Sequence, residues 1–168
     1  MEKTLQLPMN YLFLGIEGVL DTERYRNILA ENGLSGKDSE GEQYDPEALQ
    51  NLERIIEATD AKIVIASTFR SDDYMQDLWK RKDLPGKVIG ITQTLYREKS
   101  IGDIIVLTND RGMEVEAWLE DNATTPYKYA ILDDEDDYLP HQAEHLIITD
   151  PMTGITKDVA EKVINLLD

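Results

Sequence analysis

Short apolar runs alternate with segments of helical period along most of the chain. Tyr11-Leu12-Phe13-Leu14-Gly15-Ile16 is the first unbroken run, the pattern of a strand buried on both faces. Residues 21 to 43 are polar and glycine-bearing, with one short helix expected around Tyr25 to Glu31. That is long for a plain connection, and the segment reads as a flap or small cap. Asp45-Pro46 then predicts a helix start, with an acceptor side chain at the N-cap and proline at the first helical position. Leu49, Leu52, Ile55 and Ile56 are its expected buried stripe.

Lys62 to Ala66 predicts the second strand, and Ser71 the cap of a helix that buries Met75, Leu78 and Trp79. Pro85-Gly86 ends that helix, and Val88 to Ile91 is a short third strand. Thr92 to Thr108 is a second irregular stretch in which Ile104 to Leu107 forms a small extra strand. A helix from about Arg111 to Glu120 buries Val115, Trp118 and Leu119. Tyr127 to Leu132 and His145 to Thr149 are the fourth and fifth strands. Thr156 caps a last helix with Val159, Val163, Ile164 and Leu167 inward. This alternation predicts an α/β fold: a Rossmann-like three-layer sandwich on a mainly parallel five-stranded sheet, one domain over residues 1–168.

Composition changes this picture in two places. The chain has no cysteine, which excludes disulfides, a thiolate nucleophile and Cys-ligated zinc. Its 34 acidic residues against 17 basic ones give a net charge of −17. Such a field opposes a long footprint on a polyphosphate backbone, so direct nucleic-acid binding is not expected. The excess acid fits a solvated surface, a carboxylate-rich metal site, or a decoy imitating nucleic acid. No apolar run approaches the roughly 20 residues that span a bilayer, so no membrane association is expected. The first residues lack a basic leader pattern, which makes the cytoplasm the expected location.

Ligands of open parallel sheets bind beyond the carboxyl ends of the strands. That rule selects Gly15 to Asp21, Ser67 to Arg70, and the acidic run Asp133-Asp134-Glu135-Asp136-Asp137. Clustered carboxylates repel one another unless a cation or water neutralises them, and oxygen donors suit Mg²⁺. Ser67 and Thr68 carry hydroxyl donors for a phosphate, and Arg70 and Arg111 the charge to pair with it. The bland alternatives are a solvated acidic turn, helix capping and surface arginines. His141 and His145 have helical spacing, but Pro140, the strand that follows and the missing HExxH pattern argue against a zinc pair.

Tyr11-Leu12-Phe13-Leu14-Gly15-Ile16-Glu17-Gly18-Val19-Leu20 resembles the first motif of the haloacid-dehalogenase (HAD) superfamily, a hydrophobic strand followed by Asp-x-Asp-Gly-Val-Leu. Ile63 to Arg70 is similar to the second motif in the branch related to phosphatase domains of RNA-repair proteins. Arg111 to Leu119 resembles that branch's Arg-bearing segment, and Ile131-Leu132-Asp133-Asp134 the fourth motif. Thr149-Asp150-Pro151 and Gly154-Ile155-Thr156 resemble its closing pattern.

The resemblance implies Mg²⁺-dependent phosphohydrolase chemistry: the first motif aspartate attacks phosphorus and ligates the metal, and the second acts as acid and base. Those two positions are Gly15 and Glu17 here. Glycine has no nucleophile, so the covalent route is closed. Glu17 retains a carboxyl group on a longer arm, and its backbone carbonyl remains as a metal ligand beside Asp133 and Asp134. The expectation is a domain that has lost hydrolysis but keeps a phosphate pocket and a weakened Mg²⁺ site. Its partner is then a phosphorylated small molecule or a protein. The rivals are an active Mg²⁺-dependent phosphatase working through metal-activated water with Glu17 as base, and an acidic nucleic-acid mimic.

Overall fold

The computed structural model describes residues 7–66 and 71–168. The chain runs through β1 (Met9–Leu14), α1 (Glu23–Glu31), a small hairpin of β2 (Lys37–Asp38) and β3 (Gly41–Glu42), and α2 (Pro46–Thr59). Next come β4 (Lys62–Ile65), α3 (Asp72–Arg81), β5 (Val88–Ile91) and a second hairpin, β6 (Tyr96–Ile101) with β7 (Ile104–Asn109). The last part is α4 (Arg111–Asn122), β8 (Tyr127–Asp133), a 3-10 helix (Pro140–His145), β9 (Leu146–Ile148) and α5 (Lys157–Leu167).

Five strands pair in the order β5-β4-β1-β8-β9, and every pairing is parallel. The central position of β1 explains its sequence. Strands flank it on both sides and helices cover both faces, so Tyr11, Leu12, Phe13 and Leu14 are all buried. Leu12 and Leu14 point to one layer with Ile63, Ile65, Ala130 and Leu132, packed by Leu52, Met75 and Val163 of α2, α3 and α5. Tyr11 and Phe13 point the other way with Val64 and Ile131, against Val115 and Trp118 of α4. Trp118 stands edge-on to Tyr11 and Phe13, with ring centroids 5.2 and 5.6 Å away. The three-layer α/β reading is therefore correct, with a wholly parallel central sheet.

The helix starts follow the expected chemistry. Asp45, Ser71 and Thr156 each accept a backbone N–H with the side chain, as does Asp110 ahead of α4. The buried face of α2 is turned slightly from the expected stripe: Ala48, Asn51, Leu52 and Ile55 are buried, Leu49 and Ile56 only partly. Asn51 tolerates burial because its amide donates to the Ile155 carbonyl at 2.9 Å.

Segment 21–43 holds α1 and the β2–β3 hairpin, and it is docked on the body. Arg24 bonds the buried Asp45 carboxylate at 2.6 Å, as does the Thr22 hydroxyl. Lys82 pairs with Asp38, and Arg81 donates to the Glu40 carbonyl. Within 92–108 the structure has more order than expected. A six-pair antiparallel hairpin replaces a single small strand. Its first strand, Tyr96-Arg97-Glu98-Lys99-Ser100-Ile101, is exposed throughout and has no apolar alternation to betray it. Among the described residues no helix is long and apolar enough to cross a membrane.

Candidate functional site

Past the ends of the strands, the backbone ladder continues and draws the loops together. Ala66 N–H donates to the Leu14 carbonyl, Gly15 N–H to Leu132 and Thr149 N–H to Asp133, each at 2.9 Å. A Cβ built on Gly15 would sit 3.1 Å from the Leu132 carbonyl oxygen and 3.7 Å from Asp133 Cα. Gly15 and Asp133 are thus immediate neighbours at the carboxyl edge of the sheet. Ser67, Thr68 and Arg70 lie outside the described residues.

The loop after β1 is a tight turn: Val19, Leu20 and Asp21 all donate to the Ile16 carbonyl. Glu17 is exposed on this turn, whereas Gly18 is buried with φ +75°. A Cβ on Gly18 would meet Asp134 Oδ2 at 2.5 Å, so the Asp134 carboxyl group lies directly over the Gly18 backbone. The Thr149 hydroxyl donates to the Gly18 carbonyl at 2.7 Å and fixes the turn from β9's side.

Asp133 is buried, and besides Asp134 three groups face its carboxylate. The Tyr138 hydroxyl donates to Oδ2 at 2.5 Å, the Glu135 N–H to Oδ1 at 3.3 Å, and Arg111 Nη1 lies 3.7 Å from Oδ2. Arg111 also donates to the Ala66 carbonyl at 3.0 Å, so its guanidinium spans the ends of β4 and β8. Burial opposes its charge, but the Asp133 carboxylate together with Tyr138, Glu135 and Glu114 outweighs burial and its pKa is raised. Burial, and then the same carboxylate, push the Tyr138 pKa upward and keep the phenol a donor. Asp134 is pushed up to about 6, first by burial and then by its hydrogen bond and charge repulsion with Asp133. One turn beyond Arg111, burial also raises Glu114, whose carboxylate accepts the Leu95 N–H at 3.2 Å beneath the β6–β7 hairpin.

The rest of the acidic run faces a cleft of about 620 Å³ under that hairpin, lined by Arg97, Lys99, Thr108, Asp134, Asp137 and Ile148 among others. Arg97 pairs with Asp137. The two histidines serve structure: His141 faces Glu116 at 3.0 Å, and His145 stacks on Tyr129 at 3.9 Å.

Residues 11–160 match the family described as the HAD domain in Swiss Army Knife RNA repair proteins. The chain belongs to that family. No curated protein matches it. HAD domains generally use Mg²⁺, and the donors here can be judged against such an ion. Among the described residues no three His, Asp or Glu side chains group around one point. Asp133 and Asp134 supply two hard oxygen donors, and burial together with their contact raises Asp134 to about 6, a penalty on the charged form that a cation relieves. The pair matches the oxygen preference of such an ion.

Tyr138 and Glu114 carry no motif of their own: Tyr138 turns back on Asp133 five residues before it, and Glu114 meets Leu95 only through the fold. Tyr138→Phe is expected to destabilise the protein by about 1.5–3 kcal/mol, the range for a hydrogen bond to a charged group. Urea denaturation checks this; a loss under about 0.5 kcal/mol would mean that Arg111 and the Glu135 N–H suffice for Asp133.

Proposed function

We propose that this HAD domain is a cytoplasmic, non-catalytic binder of phosphate-bearing ligands together with Mg²⁺, the ligand being a small molecule or a protein. The observation that carries the reading is Gly15. It stands at the end of β1 beside Asp133, where aspartyl-phosphate chemistry needs a carboxylate, while Arg111 faces Asp133 and Asp134 lies over Gly18 of the same loop. Residues 1–168 act as one unit in this reading, with 21–43 as a small cap.

Asp133, Asp134 and the Glu17 carbonyl would hold the metal. When bound, Mg²⁺ supplies positive charge against which a phosphate oxygen can rest. Arg111, already anchored to Ala66, offers its guanidinium to the same phosphate, and Ser67, Thr68 and Arg70 are the sequence's further donors. Glu17 keeps a carboxyl group, but at glutamate length its oxygens are displaced by about an ångström, enough to cost a proton transfer about a hundredfold.

The native protein, assayed with p-nitrophenyl phosphate and Mg²⁺, is expected to give no turnover above background. Metal-dependent turnover that disappears in Glu17→Ala would replace this reading with metal-activated water and Glu17 as base.

A further inference from the structure

The β6–β7 hairpin concentrates exposed apolar side chains as no other described segment does. Tyr96, Ile101, Ile104, Ile105 and Leu107 are all exposed, Ile105 at 66 % and Leu107 at 71 %. The two strands pair only with each other. An isolated two-stranded hairpin is marginal in water, and a contiguous apolar patch marks a contact surface.

Its faces and edges differ in a way that names the occupant. Cross-strand register puts Arg97 with Thr108 and Lys99 with Val106 on the face that lines the acidic cleft. Tyr96, Leu107 and Ile105 lie on the other face. Three consecutive charges, Arg97-Glu98-Lys99, guard the β6 edge. The β7 edge, Ile104-Ile105-Val106-Leu107-Thr108, has no charge and no proline. Among the described residues its backbone bonds only to β6. Such an edge is a template for another strand.

We propose that β7 pairs antiparallel with β7 of a second copy of this chain, building a four-stranded sheet across a two-fold axis at Val106. In this register Ile105 faces Leu107 of the second copy, Ile104 faces Thr108, and Val106 faces Val106. Every pair is uncharged and rich in β-branched residues, which suit cross-strand contact. Asp103 then meets Asn109 rather than a like charge. The alternative, β6 against β6, sets Arg97 opposite Lys99 and Glu98 opposite itself. The hairpin's own two cations and two anions balance, so the paired hairpins add no net charge of their own to the repulsion between two chains of −17. Because the two bodies repel each other, added salt strengthens the dimer.

The absence of cysteine makes a direct test available. In the full chain, Val106→Cys is expected to form an intermolecular disulfide on mild oxidation, because residues paired across a strand lie within disulfide reach. Ser100→Cys, on β6 and more exposed than Val106, is expected not to. Sedimentation of the unmodified protein should show a concentration-dependent dimer. Ile105→Glu and Leu107→Lys should each weaken it about tenfold or more, since symmetry makes each change act twice. The double variant, which sets opposite charges across each pair, should recover most of the loss. A monomer at every concentration, equal cross-linking at both cysteine positions, or a dimer indifferent to the single changes would overturn the proposal. Single changes that weaken a dimer the double variant fails to restore would overturn the register.

Discussion

Replacing Gly15 and Glu17 together by aspartate is expected to give the protein Mg²⁺-dependent phosphatase activity. The first change restores an attacking oxygen, and the second shortens the acid–base arm by one methylene. The electrostatic frame is already present: Arg111 is anchored to Ala66, Asp133 is held by Tyr138, and Asp134 lies over Gly18. The fit at Gly15 is tight. A new Cβ would lie 3.1 Å from the Leu132 carbonyl oxygen and 3.4 Å from Val19 Cγ2, so its surroundings must give by a few tenths of an ångström. Misplacement by an ångström costs about a hundredfold, so recovery should be partial. Initial rates with p-nitrophenyl phosphate measure it, and mass spectrometry of acid-quenched samples should find phosphate on residue 15. A folded double variant with neither turnover nor adduct would mean that more than the nucleophile is missing.

Gly154→Ala should produce the largest loss of stability outside the core. Gly154 has φ +63°, and a Cβ there would lie 2.2 Å from the Val19 carbonyl oxygen and 2.7 Å from Thr22 Cγ2. The conflict is with backbone, which cannot swing aside. The turn at Gly154 supports the loop after β1, because Ile155 N–H donates to the Val19 carbonyl at 3.1 Å and Gly154 N–H to Asp150 at 2.7 Å. Left-handed strain of about 1–2 kcal/mol adds to overpacking of about 1–3 kcal/mol. For a protein of this size that lowers the melting temperature by roughly 5–20 °C. Gly18→Ala should cost less, because its Cβ meets the Asp134 side chain, which can rotate away. Thermal melts followed by circular dichroism compare the two. Equal losses would mean that the loop after β1 moves freely to accommodate either methyl.

Most of the fold was legible because a parallel sheet buried on both faces leaves continuous apolar runs. Tyr11 to Ile16, Ile63 to Ala66 and Tyr129 to Leu132 are such runs, and caps such as Asp45-Pro46 and Thr156 mark the helices between them. The β6–β7 hairpin was largely hidden for the opposite reason. It buries neither face against the sheet, so neither period-2 alternation nor an apolar run extends across both strands. In the site, the departures at Gly15 and Glu17 were visible as letters in a motif. The roles of Thr149 and Glu114 depend on contacts between distant segments, as when the Thr149 hydroxyl meets the Gly18 carbonyl, and that of Tyr138 on how the acidic run folds back on Asp133. Asn51 illustrates the same limit in the core: its burial rests on the Ile155 carbonyl, more than a hundred positions away.

Titration calorimetry with Mg²⁺ tests the central claim most directly. The native protein should bind one Mg²⁺ weakly. Its affinity should hold steady above about pH 6 and fall below it, because the raised Asp134 pKa lets a proton compete for that carboxyl group. The double variant Asp133→Asn with Asp134→Asn should lose the binding heat at every pH. Binding that is unchanged in that variant would place the metal elsewhere and contradict the account.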